Sequence, residues 1–224
     1  MACNNYVTDI LKEIPPRGRT IVLIRHANRD SFRGIPDSLR EGVTINAEGI
    51  RAARAFGESL GYLFPGKDLL IGHTVATRCR MTAEYIGEGY RPTGRVRILG
   101  CNPEVESVVV DPEQYVRLRE EYTWPGLMKR WLDLEVPETT LQNPFAYSRK
   151  LLFDLASFPG MDDDDLMVVI AHDVTIFPLL LSVFGKPVVS LDFLNGIVIR
   201  PDSGAIKIRY RDAGFSAGTD WAPG

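Results

Sequence analysis

Two unbroken apolar runs dominate the hydrophobic pattern of this chain: residues 20–24 (TIVLI) and 166–171 (LMVVIA). Both are short, and the first is rich in β-branched residues, so both predict strands covered on each face, as in the parallel sheet of an α/β fold. Each stops abruptly in polar residues, the first at Arg25-His26-Ala27-Asn28-Arg29-Asp30 and the second at His172-Asp173. A covered strand that delivers charge at its C-terminal end is the usual geometry of an α/β active site. Weaker strand signals lie at 68–72 and 96–99. Residues 196–200 and 205–210 flank the turn Pro201-Asp202-Ser203-Gly204 and predict a hairpin.

Helical periodicity fills the gaps. Asn46 is a good N-cap, and Ile45 before it can staple onto Ile50. Ile50, Ala53, Gly57 and Leu60 then share one face, with Gly61 and Pro65-Gly66 closing the element. Thr74 is the predicted N-cap of a second helix, whose apolar face is Cys79, Ala83 and Ile86 and whose first turn carries Arg78. Residues 101–160 differ in character. Asp111-Pro112 and Asn143-Pro144 are helix starts with proline at the first helical position, whereas Trp124-Pro125-Gly126 and Val136-Pro137 interrupt the pattern. The aspartates at 162–165 read as a solvated turn. The predicted architecture is α/β: a three-layer sandwich, its mostly parallel central sheet flanked by helices on both faces. The whole of 1–224 reads as one domain, with residues 101–160 as a small helical cap inserted in it.

Composition narrows the class. At 45% hydrophobic and 25% charged, the chain suits a globular protein and not a fibrous or disordered one. No apolar stretch approaches the roughly 18 residues that span a bilayer, and the N-terminal segment lacks a secretory pattern, so a soluble cytoplasmic protein without membrane contact is expected. The three cysteines, Cys3, Cys79 and Cys101, lack metal spacing and read as reduced thiols. A net charge of -3 gives no reason to expect a nucleic-acid partner.

Two of the three histidines, His26 and His172, therefore occupy equivalent strand ends, and the first is flanked by arginines. Guanidinium forks match phosphate oxygens, and two or three of them neutralise a phosphate dianion. A neutral imidazole beside that phosphate can attack phosphorus. The third histidine, His73, ends the second strand and reads as structural or as part of the rim.

Read together, Ile24-Arg25-His26-Ala27-Asn28-Arg29 resembles the R-H-G-x-R signature of the histidine phosphatase superfamily, also called phosphoglycerate mutase-like. Ile45-Asn46-Ala47-Glu48-Gly49 resembles the helix start that follows it in that family. The segment 74–84 (TVATRCRMTAE) resembles its S-x-x-x-R-A-x-Q-T-A-E helix. Ala171-His172-Asp173 resembles its second histidine block, in the His-Asp form of the histidine acid phosphatase branch.

The resemblance implies that His26 is the nucleophile and forms a phosphohistidine. It further implies that Arg25, Arg29 and Arg78 hold the phosphoryl oxygens and that His172 donates to the transferring group. No metal and no other cofactor is expected. Asp173 is the preferred proton donor, with Glu106, or Glu104, as the alternative of the mutase-like branch. Departures from the pattern are Ala27 for glycine, Ser31 for proline, Thr74 for serine and Met81 for glutamine.

The function these residues predict is hydrolysis of a phosphomonoester of a small phosphorylated substrate. Alternatives are a phosphoglycerate mutase-type phosphotransferase, hydrolysis of phosphohistidine or phosphoprotein, and a non-catalytic phosphate-binding regulatory module. Arg33, Tyr115, Trp124 and Arg130 are candidate rim residues. Substrate identity and oligomeric state are not legible in the sequence.

Overall fold

The computed structural model describes residues 8–218, apart from 16, 102–104, 106, 186, 187, 189 and 203. Along the chain these form α1 (Thr8–Glu13), β1 (Thr20–Arg25), a 3-10 helix (Asp37–Gly42), α2 (Ala47–Leu63), β2 (Leu69–His73), α3 (Thr77–Tyr90) and β3 (Val96–Cys101). They continue with α4 (Pro112–Glu121), α5 (Trp124–Leu132), α6 (Pro144–Ala156), β4 (Leu166–Ala171), α7 (Asp173–Phe184), β5 (Gly196–Asp202), β6 (Ala205–Tyr210) and β7 (Ala213–Gly218).

The strands make one sheet in the order β3-β2-β4-β1-β5-β6-β7. The first four in that order run parallel, and these carry the site. The last three continue antiparallel, as the predicted β5–β6 hairpin and a further strand that the sequence reading did not assign.

Side-chain alternation along the strands divides the core in two. Val22, Ile24, Leu69, Ile71, Val168 and Ile170 pack on one face with Ala53, Phe56 and Leu60 of α2 and Cys79, Ala83 and Ile86 of α3. Ile21, Leu23, Leu70, Met167 and Val169 pack on the other with residues of α5, α6 and α7, among them Trp131, Leu151, Leu152, Ile176 and Phe177. The result is the expected three-layer sandwich. No described helix is long and apolar enough to cross a membrane.

Asn46 caps α2 as predicted, its side chain accepting from the Gly49 N–H at 2.9 Å, an interaction worth about 1 kcal/mol. Gly57 does more than lie on an apolar face: a Cβ there would meet the Ile86 carbonyl oxygen at 2.0 Å, so glycine is what lets α2 and α3 approach closely.

Three expectations are corrected. Gly61 does not end α2, which runs on to Leu63. Thr74 is not the cap of α3: the helix starts at Thr77 with Ala76 as its cap, and the Thr74 N–H is taken up by the Ile170 carbonyl of β4 at 3.1 Å. Trp124-Pro125-Gly126 starts α5 instead of interrupting a helix: Thr123 caps it, and proline in a first turn costs no hydrogen bond.

Candidate active site

The parallel strands bring the two histidines together. Arg25 of β1 pairs with Ala171 of β4, so His26 and His172 leave the sheet side by side. The His26 N–H donates to the Ala171 carbonyl at 3.0 Å, which holds the two strand ends in step. The imidazole rings lie edge to face, with centroids 5.6 Å apart and an interplanar angle of 71°.

His26 is 3% exposed. Its Nδ1 lies 2.8 Å from the Ala27 carbonyl oxygen. A carbonyl can only accept, so Nδ1 carries the hydrogen and Nε2 presents the lone pair. Ala27 is buried and is not among the described non-glycine residues with positive φ, so alanine in place of glycine introduces no backbone strain. Its N–H donates to the Thr82 hydroxyl, which donates in turn to the Arg78 carbonyl, linking the His26 loop to α3. Gly49 at the start of α2 completes this support: a Cβ there would fall 2.1 Å from the Asn28 carbonyl oxygen, which accepts from the Asn46 N–H.

The three arginines are anchored mainly by neutral groups. Arg25 donates to the Leu191 carbonyl, stands 4.2 Å above the Phe193 ring centroid, and pairs with Asp173 at 3.3 Å. Arg29 donates to the Asp30 carbonyl at 2.7 Å and stacks 3.3 Å from the Phe32 ring centroid. Arg78, on the first turn of α3, donates to the Arg40 carbonyl at 2.7 Å and reaches toward His172 Nδ1 at 3.4 Å. The other ring nitrogen of His172 lies 3.2 Å from the Thr74 hydroxyl. With Arg78 able only to donate, Nδ1 accepts and Nε2 carries the hydrogen. Asp173, the first residue of α7, also accepts from the Val174 N–H at 2.9 Å, one of the helix's first N–H groups.

Burial and crowding set the titration of the site. Burial pushes His172 down to about 3, helped by Arg78, Arg25 and Arg29. His26 is held well below its usual value, first by burial, then by His172. Arg29 is lowered to about 10 by burial and by Arg78 and Arg25. The Cys79 thiol beneath His172 is pushed up to about 11 by burial and is unreactive at neutral pH.

An unfolded chain takes up protons on these imidazoles near pH 6.5 while the folded one does not, so stability falls as pH drops below about 6.5 toward 3. In an imidazole NMR titration of the ligand-free protein, His26 and His172 are expected to remain neutral at about pH 6, and added inorganic phosphate is expected to raise the proton affinity of both. Ordinary titration of both rings near pH 6.5 in the free protein would contradict the buried, guanidinium-lined pocket.

Arg25, His26, Arg29, Arg78, His172 and Asp173 therefore converge. Glu104 and Glu106 lie outside the described residues. Trp124 sits under Arg119, and Arg130 pairs with Glu135 over Tyr122, so these two rim candidates are engaged within the α4–α5 segment. His73 is buried, with Nδ1 2.8 Å from the Thr74 carbonyl, in line with a structural role. Phe32, Thr74, Thr82 and Phe193 also belong to the cluster, and sequence reasoning assigned none of them to it. For Thr82 a signal existed in the 74–84 block; Phe193 had none. A cleft of about 430 Å³ lined by Leu11, Lys12, Glu58, Ser59, Tyr62 and Leu63 contains none of these residues.

The sheet order and its layers of helices define an α/β fold of the phosphoglycerate mutase-like type. Among solved structures, the chain is similar to mycobacterial glucosyl-3-phosphoglycerate phosphatase, at 20% identity over 93% of this chain and 100% of the other (TM-score 0.51). With the VO3 complex of that phosphatase the figures are 22%, 86%, 98% and 0.54. It is also similar to an Escherichia coli candidate α-ribazole-5'-P phosphatase, at 14% identity over 86% of this chain and 95% of the other (TM-score 0.55). No family model matches the chain, and no curated protein matches it significantly.

Proposed function

We propose that this protein hydrolyses phosphomonoesters of a small phosphorylated substrate through a phosphohistidine on His26. The observation that carries the reading is the pair of neutral imidazoles, 5.6 Å apart, beside three guanidiniums. Arg25, Arg29 and Arg78 bind the phosphoryl oxygens. The His26 Nε2 lone pair, directed by the Nδ1–H bond to Ala27, attacks phosphorus. As the N–P bond forms and the ester P–O bond breaks, His172 donates a hydrogen bond to the equatorial oxygens. Asp173, protonated as the Arg25 guanidinium turns from it to the phosphoryl oxygens, gives its proton to the leaving oxygen. Water, giving a proton back to the same carboxylate, then attacks the phosphohistidine and releases inorganic phosphate. The substrate's charge is met by side chains, so neither metal nor cofactor enters the proposed cycle. Low-identity likeness to solved phosphatases supports the same reading, including one determined with VO3, a mimic of a phosphoryl group.

The test is a turnover screen over sugar phosphates, nucleotides, phosphoglycerates, phosphohistidine and p-nitrophenyl phosphate. Release of inorganic phosphate, inhibited by vanadate and indifferent to chelator, is expected. Phosphate that appears on a second hydroxyl and not in water would convert the reading to a phosphotransferase. No turnover and no vanadate binding would remove it.

A further inference from the structure

We propose that Phe32 is a positioning residue: its ring is a neutral hub that holds Arg29 and Arg78 in register for an anion before one arrives. This rests on the phosphate-binding reading of the pocket. Phe32 is half-buried in the loop between β1 and the 3-10 helix. The Arg29 guanidinium carbon lies 3.3 Å from its ring centroid, Arg78 at 5.3 Å and Arg40 at 5.2 Å. Three guanidiniums on one ring, the nearest in direct stacking contact, all lie within the roughly 6 Å over which the negative face of an aromatic ring attracts a cation.

The physical need for such a hub is clear. In the empty pocket, like charges repel, and flexible arginine stems tend to swing out into water. A carboxylate in the centre would gather the guanidiniums, but it would also neutralise them and compete with phosphate. A ring attracts them through its quadrupole and leaves their full charge for the substrate. The carbonyls of Asp30 and Arg40, which accept from Arg29 and Arg78, act in the same neutral way. Arg25, by contrast, is held partly by the Asp173 carboxylate. Burial lowers the proton affinity of Arg29, and Arg78 and Arg25 lower it further through the repulsion that the ring offsets.

The experiment compares Phe32→Leu and Phe32→Tyr with the wild type. Binding of inorganic phosphate and of vanadate is read by calorimetry, alongside KM, kcat and melting temperature with p-nitrophenyl phosphate. Leucine keeps apolar bulk and loses the π face. It is expected to weaken both anions about tenfold and to raise KM more than it lowers kcat, with melting temperature nearly unchanged. Tyrosine keeps the face and is expected to restore both. Phe32→Met provides a second non-aromatic variant should leucine disturb folding. If both non-aromatic variants bind phosphate within twofold of the wild type, or if tyrosine is as weak as leucine, the hub role is overturned while the phosphatase reading stands. If the wild type itself binds neither anion, both fail.

Discussion

Replacing His26 by alanine is expected to lower p-nitrophenyl phosphate turnover by roughly 10⁴-fold or more, with the circular dichroism spectrum unchanged. The size of the effect follows from what the ring supplies. Its Nε2 keeps a lone pair for phosphorus, because Nδ1 is committed to the Ala27 carbonyl. Removing it leaves an anion-binding pocket in which water must attack directly, and electrostatic stabilisation by the arginines accounts for the residue of activity. Phosphate binding should therefore weaken far less than turnover. A rapid quench of the wild-type protein should trap phosphate in an acid-labile, alkali-stable bond, and the alanine variant should trap none. Turnover close to wild type in a folded His26→Ala protein would leave the proposed mechanism without a nucleophile.

The second largest effect is expected at Arg78. Its replacement by alanine should lower kcat/KM by about a hundredfold to a thousandfold. The side chain touches two parts of the proposed machinery: it is one of the three guanidiniums proposed to bind the anion, and it donates toward His172 Nδ1. After burial, its charge does most to hold His172 down to about 3, and it contributes to the lowering of His26. Without it both rings gain proton affinity, so the pH at which kcat/KM falls on the acid side should move upward. Arg78→Lys keeps a charge and loses the fork, and should recover only part of the loss. The measurement is the pH profile of kcat/KM for the three proteins. A uniform fall with no movement of the acid limb would show that Arg78 acts on phosphate alone.

Much of this site was legible in the chain because it rests on local signals. Two covered strands ending in histidine, the arginines around the first of them, and Asn46 before an amphipathic run all mark their own positions without reference to distant residues. The errors came where a local signal met a tertiary competitor. Thr74 has the chemistry of a helix cap, but its N–H donates to the Ile170 carbonyl of β4 and its hydroxyl lies against His172, 98 residues away in sequence. Trp124-Pro125-Gly126 has the composition of a breaker, but proline in a first turn is compatible with a helix, and Thr123 supplies the cap. Phe193 carries no signature at all. It reaches the site because the segment before β5 folds back, with the Leu194 N–H donating to the Arg25 carbonyl and Leu194 itself in the left-handed region at φ 56°.

The amino-acid sequence alone pointed to the residues that the structure brings together and to the layer architecture that presents them, since periodicity, β-branching and capping are properties of neighbouring residues. Only the tertiary structure decided the rest: that β1 and β4 lie in register, that the His26 proton sits on Nδ1, and that one phenylalanine ring lies near three arginines. Each of these depends on contacts between residues far apart in the chain or on the direction of a single hydrogen bond, and neither is encoded in a local pattern.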